Sequence, residues 1–339
     1  MESEKKLKMG IIGFGRIAAA HANSILDLNK SVELAAVATR QAEKQKNIAE
    51  KYGTKKFYSD YHELLNDQAI DAIIVCLPNY LHHRVCLEAA RAKKHILVEK
   101  PIAMNLMQTD EMINAAQKNE ITLMVAQSRR FSDAMMKIRE EMISEIGPPF
   151  RIDINFLLNF PQPPTEWWKT AEKAGGLVTL LQGSHSIDTV LWLLNKMPTT
   201  IFSASRSRNP LWEGEDEVDI VLGFDSGELA AVHLSLNTSP YLHETIIVGP
   251  EGTIRLYEHP TDKAFGFSYR LEFNGKTVLE GEQNPSLYTI QLEEFCAALR
   301  ENRTPIAAAA EIRNTMKVLD AIRKSDRKGR VIHHEVERR

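Results

Sequence analysis

The sequence predicts a doubly wound α/β domain followed by an α+β domain with an open, mainly antiparallel sheet. Three observations carry that expectation. A glycine-rich turn, Gly13-Phe-Gly15, stands between a short apolar run and a helical pattern near the start of the chain. Short apolar runs then alternate with helix-period segments until about residue 127. Beyond that point extended segments follow one another, separated by turn pairs and with little helix between them. At 339 residues the chain also exceeds one ordinary core, which makes two domains the expectation.

In the first part, residues 9–12, 33–38, 72–76, 96–98 and 122–126 are short and apolar and read as buried strands. Between them, 17–28, 42–52, 61–65, 81–92 and 106–118 carry helical periodicity. Such alternation implies βαβ units, a parallel sheet and right-handed crossovers. In the second part, 151–160, 200–206, 218–224, 228–236, 244–248 and 253–256 read as strands. Asp225-Ser-Gly227, Pro250-Glu-Gly252 and Asn274-Gly275 supply turns. A largely apolar helix over 177–195 interrupts the strands, and helical patterns over 287–300 and 309–324 close the chain. Pro161-Gln-Pro-Pro164 lacks ladder donors and is a loop. The domains are expected at 1–127 and 128–339, with the C-terminal helices packing back on the first.

Composition narrows the function classes. Hydrophobic residues at 43% and charged residues at 26% are those of a soluble globular protein. The net charge of −3, without a long basic run, gives no electrostatic footprint for nucleic acid. The three cysteines, Cys76, Cys86 and Cys296, lack metal spacing and sit in apolar patterns, as reduced core thiols would. No stretch approaches the roughly 20 apolar residues of a membrane span. The apolar start is too short and too glycine-broken for a signal peptide, so the expected location is cytoplasmic, with no membrane partner.

Gly13-Phe14-Gly15-Arg16-Ile17-Ala18 has the G-x-G-x-x-A form that binds dinucleotides when it joins a strand to a helix. One glycine makes the turn, the second admits the pyrophosphate, and the helix start offers free N–H groups. The first domain is therefore expected to be an α/β Rossmann domain that binds NAD(P). An NAD site calls for an acid at the end of the second strand. Glu33 lies at the wrong end of that strand, which finishes in Thr39-Arg40. A hydroxyl followed by a guanidinium suits a 2′-phosphate, so NADP is favoured and NAD stays open.

The run His95-Ile-Leu-Val-Glu-Lys100-Pro101 ends an apolar strand in a carboxylate, an amine and a proline. Proline stops the strand and leaves Glu99 and Lys100 at the carboxyl edge of the sheet, where open α/β sheets bind ligands. A partly desolvated lysine there can exchange a proton near neutral pH. A strand-end pair that only meets solvent is the alternative.

Together with Pro78-Asn-Tyr-Leu-His82, Trp167-Trp168, Gly175-Gly176 and Gly183-Ser-His185-Ser-Ile-Asp188, these elements resemble the glucose–fructose oxidoreductase / inositol dehydrogenase / MocA family. The resemblance covers most of the chain. It implies a Rossmann domain, an open antiparallel sheet domain that makes dimers or tetramers, and a sugar, sugar-acid or cyclitol substrate whose hydroxyl exchanges hydride with the nicotinamide. By position it implies that Leu77, Pro78, Asn79 and His82 wall the cofactor. Glu99 would meet the nicotinamide ribose, and Gln127 would stand near the carboxamide. It further implies that Lys100 touches substrate and cofactor, that Arg130-Phe131 matches the family's pair with Arg130 as a substrate contact, and that His185 contacts substrate. Trp168 is either a substrate wall or packing.

The chain departs from the family one helical turn before His185, where an Asp is usual and Leu181 stands. Leucine neither orients an imidazole nor takes a proton. The acid/base role then falls to Lys100, with His185 as partner or alternate base and Gln182 as a neutral polar contact. Two other readings stay open: a family branch in which held NAD supports glycoside cleavage, and a cofactor sensor without turnover.

Overall fold

The computed structural model describes residues 6–334. The chain forms two compact units, one comprising the residues through Ser128 with Pro285–Ile312, the other Arg129–Asn284 with the residues from Arg313 onward.

In chain order the first unit contains β1 (Leu7–Ile12), α1 (Arg16–Asp27), β2 (Val32–Ala38), α2 (Ala42–Tyr52), β3 (Lys56–Tyr58) and α3 (Tyr61–Asn66). It continues with β4 (Ala72–Val75), α4 (His82–Arg91), β5 (His95–Val98), α5 (Leu106–Lys118) and β6 (Leu123–Val125). The strands make one six-stranded sheet in the order β3-β2-β1-β4-β5-β6, every pair parallel. Ile11, Ile73, Ile74 and Leu97 have no exposed surface, as strands covered on both faces require. The order reverses at β1, which pairs with both β2 and β4, so the switch point lies at the carboxyl ends of β1 and β4. Strand β3 was not legible beforehand. It has three residues, and its side chains are exposed or half-buried, so no apolar pattern marks it.

The second unit opens with a helical run, α6 (Asp133–Lys137), a π-turn (Ile138–Met142) and α7 (Ile143–Ile146). Then come β7 (Arg151–Asn159), α8 (Ala171–Ala174), α9 (Val178–Leu181), α10 (Gly183–Leu194), β8 (Thr200–Arg206), β9 (Glu217–Gly223) and β10 (Leu229–Ser235). Next are β11 (Asn237–Gly249), β12 (Gly252–Pro260), β13 (Phe267–Phe273) and β14 (Lys276–Glu282). Helix α11 (Leu287–Glu301) belongs to the first unit, where it packs along α1. The boundary falls within α12 (Ala309–Lys328), and β15 (Ile332–His333) ends the described chain.

These strands form one nine-stranded sheet, β14-β13-β12-β11-β7-β10-β9-β8-β15. All neighbours are antiparallel except β7 and β10, which lie parallel, so the sheet is mixed. The β13–β14 hairpin turns at Asn274-Gly275, both at positive φ. Its turn was legible, but β14 was not, because it buries none of its residues.

The expected single helix over 177–195 is two helices. The chain bends at Gln182, and Gly183 starts α10 where a Cβ would press on Leu319 and Leu234 at 3.3 and 3.4 Å. Leu181 and His185 therefore sit on different helices, and the i, i+4 relation of one continuous helix does not join them.

Candidate active site

The carboxyl end of β1 runs into the glycine turn. Gly13 has φ +84°, and a Cβ there would lie 2.8 Å from both the Cys76 carbonyl oxygen and Leu77 Cδ2. Only glycine fits this crossing of two strand ends. Its N–H donates to Ala38 O at 2.9 Å, which ties the end of β1 to the end of β2. Gly15 precedes α1, and a Cβ there would meet nothing within 4 Å. No side chain caps α1 and no acid stands in its first turn, so this helix start suits an anion. Phe14 and Ile17 are half-buried and Arg16 is exposed. The open space over Gly15 and the uncapped helix start fit the diphosphate of a dinucleotide.

Beside this turn, β2 ends in Ala38-Thr39-Arg40-Gln41, without an acid. Thr39 is buried, with its N–H on Tyr58 O at 2.9 Å and its Oγ1 accepting from Gln41 N at 3.1 Å. Arg40 is exposed. Lys44, on α2, brings its Nζ to 3.4 Å from Phe14 O, a basic group on the glycine turn that sequence reasoning did not single out. Glu33 is at the far end of β2, 3.8 Å from Lys8 Nζ.

At the end of β5, Glu99 is buried and its N–H donates to Val75 O at 3.1 Å. Its Oε1 lies 2.7 Å from His21 Nε2, and its Oε2 accepts from Lys100 N at 3.2 Å. Burial holds the Lys100 amine below the usual lysine range; the Glu99 carboxylate opposes this and Arg16 adds to it. The Lys100–Pro101 peptide is cis. Tyr288, on α11, meets the edge of His21 with ring centroids 5.4 Å apart. Burial raises its phenol, as does Glu99.

His82 does not line an open wall. It is buried, with Nδ1 2.9 Å from Pro101 O and Nε2 2.8 Å from Leu77 O. A neutral imidazole has one N–H, so one contact at a time is a hydrogen bond, and the ring bridges the loops after β4 and β5. Leu77 and Pro78 are half-buried beside Gly13. Asn79 is buried, its Oδ1 accepting from Tyr80 N at 3.1 Å, and Gln127 is buried just past β6.

In the second unit Arg130 is 5% exposed and pairs through both arms with Asp188 of α10: Nε to Oδ2 and Nη2 to Oδ1, each 2.9 Å. Thr315 Oγ1 adds a donor to Asp188 at 3.1 Å, and the guanidinium lies 5.6 Å from the Trp192 ring. These contacts make Arg130 an anchor of the helix that carries His185, a different placement from the substrate contact expected of it. Trp168 is half-buried and meets Phe160 and Trp167 edge-on, at 5.6 and 6.0 Å. Gln182 is buried at the α9–α10 bend, and its carbonyl accepts from His185 N at 3.0 Å. His185 is half-buried at the start of α10.

Sequence reasoning missed a polar cluster on the buried sheet face. Arg129 pairs with Glu258 on β12 and donates to His243 Nδ1 on β11 at 3.1 Å. His243 stacks on Phe156 of β7 at 3.9 Å, nearly parallel. Arginine only donates, so His243 Nδ1 accepts and the ring proton sits on Nε2. Burial pushes His243 well below its ordinary range, and the charges of Arg129, His185 and His259 push it the same way. Its members lie on three strands and a short 3₁₀ helix, and no local sequence pattern joins them.

A glycine-turn dinucleotide cradle with a lysine at the carboxyl edge of the same parallel sheet defines a nicotinamide-dependent oxidoreductase. The comparisons agree. Residues 7–127 match the oxidoreductase family with an NAD-binding Rossmann fold, GFO_IDH_MocA, and residues 140–255 match the GFO/IDH/MocA C-terminal domain. The chain belongs to the GFO/IDH/MocA family. It is 32% identical over 234 residues to an uncharacterised oxidoreductase of Bacillus subtilis, covering 67% of each chain. It is 27% identical to scyllo-inositol 2-dehydrogenase (NAD(+)) of the same organism, covering 99% of this chain and 98% of that one. The fold is shared with an aldose-aldose oxidoreductase from Caulobacter crescentus, with TM-score 0.86, 23% identity, and coverage of 97% of this chain and 100% of that one. Among the described residues no helix is long and apolar enough to cross a membrane and no cluster of metal-ligating side chains occurs. The cysteines are free and buried.

Proposed function

We propose that the protein is an NADP-dependent dehydrogenase or reductase acting on a hydroxyl or keto carbon of a sugar, sugar derivative or cyclitol. The observation that carries this reading is Lys100, an amine with a lowered pKa at the sheet edge, in a unit whose glycine turn fits a dinucleotide. Bound nicotinamide supplies the hydride exchange. The chain supplies position and proton management. Gly13 and Gly15 leave room for the diphosphate, and the α1 N–H groups hold it. Thr39 and Arg40, with Lys44 beside them, take a 2′-phosphate. Leu77, Pro78, Asn79, Glu99 and Gln127 are assigned to the ribose and nicotinamide side. In the direction of oxidation neutral Lys100 takes the substrate hydroxyl proton, and in reduction it returns one.

From the second unit, His185 is assigned to substrate, with Gln182 and Trp168 as polar and aromatic contacts. The relative named above acts on scyllo-inositol, which supports a cyclitol or sugar as the substrate class. Assembly as a homodimer or homotetramer through the outer sheet face, in the cytoplasm, completes the reading. Absorbance at the reduced-nicotinamide band, followed over a panel of sugars and inositols with NAD and NADP in parallel, tests it. Turnover with at least one polyol, faster with NADP, is expected. No absorbance change on any member with either cofactor refutes it.

A further inference from the structure

A buried histidine that the mechanism above does not use stands against Glu99, the neighbour of the lysine. His21 lies on α1, one turn past the glycine turn, and has no exposed surface. Its Nε2 is 2.7 Å from Glu99 Oε1, while the other oxygen of Glu99 accepts the backbone N–H of Lys100. His21 Nδ1 is buried and has no hydrogen-bond partner among the described residues. A proton on Nδ1 would be a buried donor without an acceptor, which costs about 1–3 kcal/mol, so the tautomer with the proton on Nε2 is the one this site selects. His21 therefore donates to the carboxylate. Tyr288 packs against the ring and fixes its plane.

We infer that His21 is a positioning residue for Glu99, holding the carboxylate turned against Lys100, and so sets the pH at which Lys100 changes protonation state. The inference rests on the assignment of Lys100 as proton carrier. The carboxylate is buried, so its orientation depends on the donors that hold it. Glu99 accepts one hydrogen bond from α1 and one from its own neighbour. Its charge opposes the burial of the Lys100 amine. Removing the His21 donor weakens this opposition.

Other ionisable groups also face this pair. Arg16, from the start of α1, acts on Lys100 in the same direction as burial. Cys76, His82 and Tyr288 all sense the Glu99 charge, from the end of β4, from α4 and from α11. Burial holds the Cys76 thiol and the Tyr288 phenol above their ordinary ranges and His82 below its own, so all three are neutral at pH 7–8. His21 is the side chain that holds Glu99 in this set.

The test needs no turnover. Acetylation of Lys100 by trace acetic anhydride, read by peptide mass spectrometry from neutral to alkaline pH, gives the midpoint of its titration in the intact protein. His21→Phe keeps the ring contact with Tyr288 but removes the donor, and its midpoint is expected to fall by about one pH unit. His21→Gln returns an N–H at about the reach of Nε2, and its midpoint should match the wild type. The same midpoint in wild type and His21→Phe overturns the inference. So does an equal shift in His21→Gln and His21→Phe, because packing damage alone would then explain it. If His21→Phe does not fold, His21→Leu takes its place under the same criteria. A wild-type protein that turns over no polyol refutes the function assigned to Lys100, and the labelling comparison still decides the role of His21.

Discussion

Replacing Asp188 by Asn tests whether the Arg130 pair is a structural anchor. Both partners are buried, at 5% and 3% exposure, and two N–O contacts of 2.9 Å join them. Asparagine keeps the shape and one acceptor but removes the charge, which leaves the guanidinium in a site with little access to water. Breaking a buried pair in this way costs about 3–5 kcal/mol. The retained acceptor returns about 1 kcal/mol of that, so about 2–4 kcal/mol is expected. For a unit of this size each kcal/mol moves the melting temperature by roughly 2–4 °C, giving a fall of roughly 4–16 °C. Differential scanning calorimetry reads it, with the two units treated as separate transitions where they resolve. The double replacement Arg130→Met with Asp188→Leu should recover most of the loss, because apolar residues of similar volume often replace a buried pair without cost. A single Asp188→Asn variant melting within about 1 °C of wild type refutes the anchor role. Arg130→Lys adds a second check. An anchor loses stability on losing its two-armed geometry, whereas a substrate contact would raise KM and leave the melting point in place.

Lys100→Ala should lower kcat by about 10²- to 10⁴-fold while cofactor affinity, read by fluorescence titration, stays within a few-fold; an unchanged kcat removes Lys100 from the mechanism. Because burial lowers the Lys100 pKa, the neutral amine is reached at lower pH than for an ordinary lysine. The rate of oxidation should therefore rise with pH and level off below the usual lysine value of about 10.4; a rate that falls over this range contradicts it. Gly15→Val places a side chain where the protein itself has open space, so the melting point should hold while NAD(P) affinity drops at least about 10-fold; equal affinity would show that no diphosphate passes there. Burial also holds His82, His95, His243 and His334 below their ordinary range. As pH falls through the unfolded value of about 6.5, the unfolded chain binds protons that the folded chain refuses, so stability should fall between pH 7 and 5. Melting points that rise over that interval refute this.

Much of the first unit was legible because its signals are local. The helices over 42–52 and 106–118, and the strand over 200–206 in the second unit, have the expected bounds. Apolar runs buried on both faces and glycine at a position of positive φ announce themselves in any window of a few residues. Elements without such a signal stayed hidden, as β3 and β14 show, since an edge strand with exposed side chains carries no pattern. The bend at Gln182 was hidden for another reason. The apolar sequence on both sides of it suits one long helix, and no local signal marks the break before Gly183.

The sequence by itself determined the glycine turn, the strand that ends at Glu99 and Lys100, and the family, because each is written in residues close together along the chain. Tertiary structure alone decided what the polar side chains do. It spends Arg130 on Asp188, sets the ring of His82 between two backbone carbonyls, and puts His21 and Tyr288 behind Glu99. Those partners are 78 residues apart for His21 and Glu99 and 58 for Arg130 and Asp188. A hydrogen bond depends on positions within a few tenths of an ångström, and over such separations only the packed fold fixes them.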